Sequence, residues 1–300
     1  MNRKIRTWVE ISLNDLEHNY REISSRLPDG CQMLGVCKAN AYGHGAVRVA
    51  QRLQRAGCRW IAVNCYDEAE ELRAAGVTMN ILLLGPQSAN IAVDLATLGV
   101  TQAVGSIEYA RELNRFLAGT GLRLNAHMKL ETGMGRTGFD VHDDSHLDEM
   151  LEALSLPHLN FTGVFTHFAV SDENGDPYTQ LQFSRFLHAI DRMEQASGHH
   201  FAIRHCANSG AVINYPEMHL DMVRPGLLLY GVFPAKETGG LDLRPAMSLY
   251  SRVSEVTHHH AGDTISYGRT FTCPHDMRLA VLPVGYADGL LRSLSGKGDV

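Results

Sequence analysis

"MLGVCKANAYGHGAVRVAQRLQRA", residues 33–56, decides the fold. Residues 33–37 are a short apolar run suited to a buried strand, and 46–56 repeat their apolar positions at helical spacing. Asn40, Gly43 and Gly45 make a tight loop between the two, with Tyr42 and His44 inside it. Strand, turn and helix form one β/α unit, and the unit recurs. Apolar runs at 60–63, 81–84, 102–104, 124–129, 161–166, 202–206 and 220–223 bring the strands to eight. Helical patterns at 67–75, 106–118 and 178–196 separate several of them, with Asp67 and Ser106 standing where N-caps belong. In the last pattern Leu181, Phe183, Phe186, Leu187 and Ile190 are expected to share the buried face. Eight strands alternating with helices predict an α/β protein built on a (β/α)8 TIM barrel. A doubly wound open sheet is the alternative, but its G-x-G-x-x-G signature after the first strand is missing.

The pattern changes near residue 234, where "PAKETGGLDLRP" reads as a linker. Beyond it the segments from 246 and from 278 alternate like strands with no helix between them, which predicts a second, all-β domain. The expected boundaries are 1–242 for the barrel and 243–300 for the start of the β domain. That domain is small for independent stability, which suggests that it continues past residue 300.

The chain's net charge of -6, from 27 basic and 33 acidic residues, leaves no footprint for a polyanion, so no nucleic-acid partner is expected. Six cysteines without a CxxC pair, and no apolar stretch long enough for a signal peptide or a membrane span, predict a cytoplasmic protein that engages no membrane. The histidines at 199–200 and 258–260 offer no metal-ligand spacing, and no metal is expected.

In a β/α barrel, chemistry gathers where the strands end. Lys38 and Tyr42 follow the first strand, Lys129 and Arg136 the fifth, His167 the sixth, Asn208 and Ser209 the seventh, and Arg224 the eighth. The second and third strands end without comparable groups. An amine walled by apolar groups loses solvation and keeps its neutral form more readily, which is what a Schiff-base lysine needs. Alone, Lys38 reads more readily as a lysine snorkelling to solvent. Ser209 and Gly210 stand at a helix start and Gly226 in the loop after the last strand, where barrels often hold a phosphate. A reactive lysine and a phosphate cup together indicate pyridoxal phosphate (PLP).

"VCKANAYGHG", "ETGMGRTG", "THFAVSDE", "CANSGA", "VRPGLLLYG", "SYGRTFT" and "LPVGYADG" follow one another in the order of the alanine racemase family, which the chain resembles over nearly its whole length. The resemblance implies a PLP-dependent racemase interconverting L- and D-alanine to supply peptidoglycan, working as a homodimer with shared active sites. Lys38 would be one base, and Tyr267 of a second subunit the other. His167, braced by Arg224, would support the tyrosine. Tyr42, Asn208, Ser209, Gly226 and Leu227 resemble the cofactor cup, the last two through backbone N–H groups. Arg136 resembles a contact for ring hydroxyl and substrate carboxylate, Tyr286 a residue lining the route in, and Lys129 a lysine that some members carry as a carboxylated CO₂ adduct. A serine racemase of the vancomycin-resistance type is the nearest alternative. A barrel-type PLP decarboxylase is more distant, because its pattern has a carboxylate in place of Arg224 and a cysteine in place of Tyr267.

Overall fold

The structure, a computed structural model, describes residues 6–298. Parallel strands run at Gln32–Val36, Trp60–Val63, Asn80–Leu83, Thr101–Val104, Leu124–Glu131, Leu159–Phe165, Ile203–His205 and Met222–Val223. Neighbours pair in that order through the first seven, and Met222–Val223 pairs back to Gln32 and Met33. The remaining seam is closed by backbone hydrogen bonds from Asp221 N to Arg204 O (3.2 Å) and from Arg224 N to Ala207 O (2.8 Å). The barrel is therefore formed, and the open-sheet alternative is excluded.

Two-residue alternation sorts the side chains. Leu34, Val36, Trp60, Ala62, Leu82 and Met222 form one buried cluster inside the barrel. Ile61, Ile81, Leu83, Met128 and Leu130 belong to the larger cluster beneath the helices. On the fifth strand that leaves His127 and Lys129, both buried, with the inward set.

Helices occupy Ala46–Ala56, Tyr66–Ala74, Ile107–Leu117 and Pro177–Ser197. Ser106 caps its helix as expected, accepting from Tyr109 N at 3.2 Å. Asp67 does not cap: Cys65 is the N-cap, and Asp67 lies in the first turn, where its charge still complements the helix dipole. The buried face of Pro177–Ser197 also differs from expectation. It consists of Thr179, Gln182, Phe186, Ala189, Ile190 and Met193, while Leu181 and Leu187 are exposed. The polar Gln182 takes the inward place because it has buried partners, described below.

Contacts divide the chain into two units, residues 12–246 and, among those described, 6–11 with 247–298. The segment read as a linker is tied to the barrel unit. Asn19 donates to Arg244 O (2.8 Å) and accepts from Arg244 N (2.8 Å), and Leu241 and Leu243 pack on the core. In the other unit Thr7–Ile11 runs antiparallel to Met247–Ser251, and Glu255–His259 to Met277–Val281. Tyr267 lies in the turn joining Thr264–Ile265 to Phe271–Thr272. Among the described residues no helix is long and apolar enough to cross a membrane.

Candidate active site

The residue after the first strand leads into an unusual turn. Ala39, Asn40, Ala41 and Tyr42 all have φ between 51° and 55°, a left-handed helical turn built without glycine. Each such residue costs about 1–2 kcal/mol, so the turn must be held from outside. Glu68 does much of this. Its carboxylate accepts from Ala39 N at 2.6 Å and Asn64 N at 2.7 Å, joining the ends of the first two strands. Asn40 accepts from Ala46 N at 2.8 Å, and Ala41 is fully buried. Together they fix where Lys38 leaves the barrel rim.

Lys38 opens onto a cavity of about 440 Å³ whose lining comes wholly from the barrel unit. Lys129, Arg136 and Arg224 line it with Lys38, as do Tyr42, His167, Asn208, Ser209, Gly226 and Leu227. Four basic side chains thus face a single acid among the lining residues, Asp172. Such a balance calls for an anion. Ser209, nearly buried, accepts from Gly226 N at 3.0 Å and from Leu228 N at 3.5 Å. A side chain at Gly226 would bring its Cβ within 2.9 Å of the Tyr42 hydroxyl, so glycine lets backbone and phenol approach from opposite sides. Asn208 caps the Ser209–Asn214 helix through Ala211 N (3.1 Å) and accepts from Ser171 at 2.6 Å. The result is a polar cradle at one end of the cavity.

Arg224 is 5% exposed. It donates to Thr166 O (2.6 Å), Cys206 O (3.2 Å) and His205 Nδ1 (3.0 Å), and reaches His167 Nδ1 at 3.5 Å. Burial lowers its pKa to about 10, which still leaves it charged at neutral pH. Burial and then Arg224 push His167 down to about 3, so its imidazole stays neutral. A guanidinium has no acceptor, so His167 Nδ1 must carry the lone pair and Nε2 the proton. Lys129 is nearly buried and donates to Thr137 Oγ1. Desolvation, then Arg136 and Arg224, lower its pKa to about 8. Arg136 is exposed and its loop is pinned by Glu131, whose carboxylate accepts from Gly133 N (2.6 Å) and Arg136 N (3.0 Å).

Tyr267 and Tyr286 lie in the β unit and are 85% and 66% exposed. Reading strand ends missed several neighbours. Asn64, Leu84, Gly85 and Pro86 line the cavity just beyond the second and third strands, which read only as ending without groups comparable to the others. Phe165, His127 and His205 were missed as well. Beneath His167, Gln182 donates to His167 O and to Thr132 Oγ1 (both 3.2 Å) and accepts from Ala169 N (2.9 Å).

A closed parallel barrel with a cationic, anion-accepting cavity at the carboxyl ends of its strands defines a (β/α)8 enzyme class. The family described as "Alanine racemase, N-terminal domain" matches residues 11–234, and "Alanine racemase, C-terminal domain" matches 246–300. The chain belongs to the alanine racemase family. It is 43% identical over 295 residues to an alanine racemase of Desulforamulus reducens, covering 98% of this chain and 79% of that one. Among solved structures, an alanine racemase from a D-cycloserine producing Streptomyces lavendulae superposes with a TM-score of 0.89 at 34% identity, covering 99% of this chain and 78% of the other. A histidine racemase from Leuconostoc mesenteroides subsp. sake also shares the fold, with a TM-score of 0.82 at 28% identity, covering 96% of this chain and 76% of the other.

Proposed function

We propose that this protein is a PLP-dependent racemase interconverting L- and D-alanine, active as a homodimer. The observation that carries this reading is Arg224: a buried, charged donor inside a cavity whose polar cradle suits a phosphate. Bound PLP would supply an electron sink for the carbanion left when the α-proton is removed. With no acceptor to offer, Arg224 would leave the cofactor's ring nitrogen unprotonated and so keep the sink weak. Tyr42, Ser209 and the Leu227 amide would hold the phosphate, joined by the Gly226 amide once it turns from Ser209 Oγ, with Asn208 ordering the cradle. Lys38 would anchor the cofactor and then move the proton on one face.

The opposite face needs a second base. We assign it to Tyr267 of a second copy, with Tyr286 lining the approach. The His167 Nε2–H, directed by Arg224 at Nδ1, would be the donor that stabilises the phenolate. Arg136 would meet the substrate carboxylate. Replacing alanine's hydrogen by a hydroxyl changes binding by only ~1–3 kcal/mol in a pocket that does not read it. Rates on L-alanine, L-serine and L-histidine measured side by side therefore decide the substrate, and L-alanine is expected to lead. Borohydride treatment should bleach a visible absorption band and leave the label on Lys38. A colourless protein with no label there overturns the reading.

Lys129 offers a second expected result. A neutral amine attacks CO₂, forming an N–C bond and releasing a proton. With its pKa lowered to about 8, Lys129 presents far more neutral amine near pH 8 than an ordinary lysine. The resulting carbamate would place an anion among the cations and orient Arg136. The intact mass of protein kept in bicarbonate should exceed the acid-treated mass by one CO₂, with the adduct increasing between pH 7 and 9. Equal masses would show that Lys129 remains an amine.

A further inference from the structure

Arg224 has a second imidazole partner, on the side facing the barrel interior. Its Nη1 donates to His205 Nδ1 at 3.0 Å, and His205 Nε2 lies 2.9 Å from His127 Nδ1. Both histidines are fully buried. Because arginine can only donate, His205 must accept at Nδ1 and carry its proton on Nε2. That proton can only go to His127 Nδ1, so His127 carries its own on Nε2. The chain ends there, since His127 Nε2 has no hydrogen-bond partner.

The fold makes room for this dead end. Between the fifth and sixth strands the register slips at Ala126/His127, setting His127 opposite Gly163. A Cβ at position 163 would come within 2.6 Å of His127 Nε2. A bulge and a glycine thus seat an imidazole one layer below Lys129, against Trp60 with ring centroids 5.4 Å apart. Phe165 stacks on His205 at 4.9 Å and 11°, which leaves that ring little freedom to turn. A buried N–H without a partner costs on the order of 1–3 kcal/mol, which a simple apolar filler would avoid.

We propose that His127 is a positioning residue: by accepting the His205 Nε2–H hydrogen bond it reinforces the tautomer that turns a lone pair toward Arg224, and so helps set the rotation of the guanidinium facing the cavity. Burial and Arg224 keep both rings neutral, with His127 pushed down to about 3, so the order of donors persists across the working pH range. The proposal takes its catalytic meaning from the role assigned to Arg224, but its structural content can be tested without any turnover.

The test is ¹⁵N NMR of histidine-labelled protein, with and without PLP, alongside kinetics of two variants. In the wild type both His205 and His127 should appear as neutral Nε2–H tautomers. Asn at 127 can offer its Oδ1 where Nδ1 stands, so H127N should preserve the His205 tautomer, whereas H127L should mix it with the Nδ1–H form. H127L should lose about 10–100-fold in kcat with KM nearly unchanged, and H127N should recover most of that loss. A wild-type His205 protonated at Nδ1 overturns the proposal even if H127L fails to fold. So does equal behaviour of the two variants. Absence of racemase activity with the expected tautomers would instead fault the functional assignment and leave the relay standing.

Discussion

Lys38→Ala and Tyr267→Phe proteins, each nearly inactive alone, should recover activity when the two chains are expressed together. Either substitution removes a proton-transfer group and should cost roughly 10²–10⁴-fold. In a hybrid dimer with exchanged tyrosines, one site combines Lys38 of the Tyr267→Phe chain with Tyr267 of the Lys38→Ala chain, while the other site has neither. Random pairing then restores about a quarter of the sites of a twofold assembly. The exposure of Tyr267, 85% in the single chain, is what such a donated residue needs before assembly. Recovery near a quarter supports the shared site. No recovery, with hybrid dimers demonstrably present, would show that each chain completes its own site or that Tyr267 is not a base.

Arg224→Glu should lower racemisation by about 10²-fold or more and raise the share of turnovers ending in transamination. The carboxylate accepts where the guanidinium donates, so it would retain a proton on the ring nitrogen and strengthen the electron sink. A longer-lived carbanion has more time to be protonated at the wrong carbon. The substitution also disturbs the neighbours: His205 and His167 would gain an acceptor beside Nδ1 in place of a donor, and an anion there favours their protonated forms. Some loss of stability is expected, because Thr166 O and Cys206 O lose their partner. The partition between racemisation and transamination is counted per turnover and does not depend on how much protein is folded. Arg224→Lys, still a cation, should keep that partition near the wild-type value. An unchanged partition in Arg224→Glu would overturn the role given to the guanidinium.

The barrel was legible because its strands are short apolar runs, each followed by a loop and often by a clear helix, so eight repeats left few alternatives. Lys38, Lys129, His167, Ser209 and Arg224 were legible because a polar residue directly after a buried run stands out, and all five line the cavity. His127 was harder to see, since it sits inside a strand rather than at its end. Its signal was present: "NAHMKLE" alternates polar and apolar residues, so the lysine's inward direction also implies His127, one layer down. Glu68 gave no such signal, because its partners are backbone amides of a turn whose left-handed path no local pattern announced. Leu181 and Leu187 misled for a related reason. Hydrophobicity selected the face, whereas Gln182 was drawn inward by partners distant in sequence.

The seam of the barrel has one more consequence. Arg224 stitches the last strand to the seventh with its main chain while its side chain reaches into the mouth, so architecture and chemistry share a single hinge pin. An opening at that joint would swing the guanidinium off its imidazoles while the other strands stay paired. Gentle heating should therefore silence the molecule while its circular dichroism is still intact, since local openings lie far below global melting in free energy.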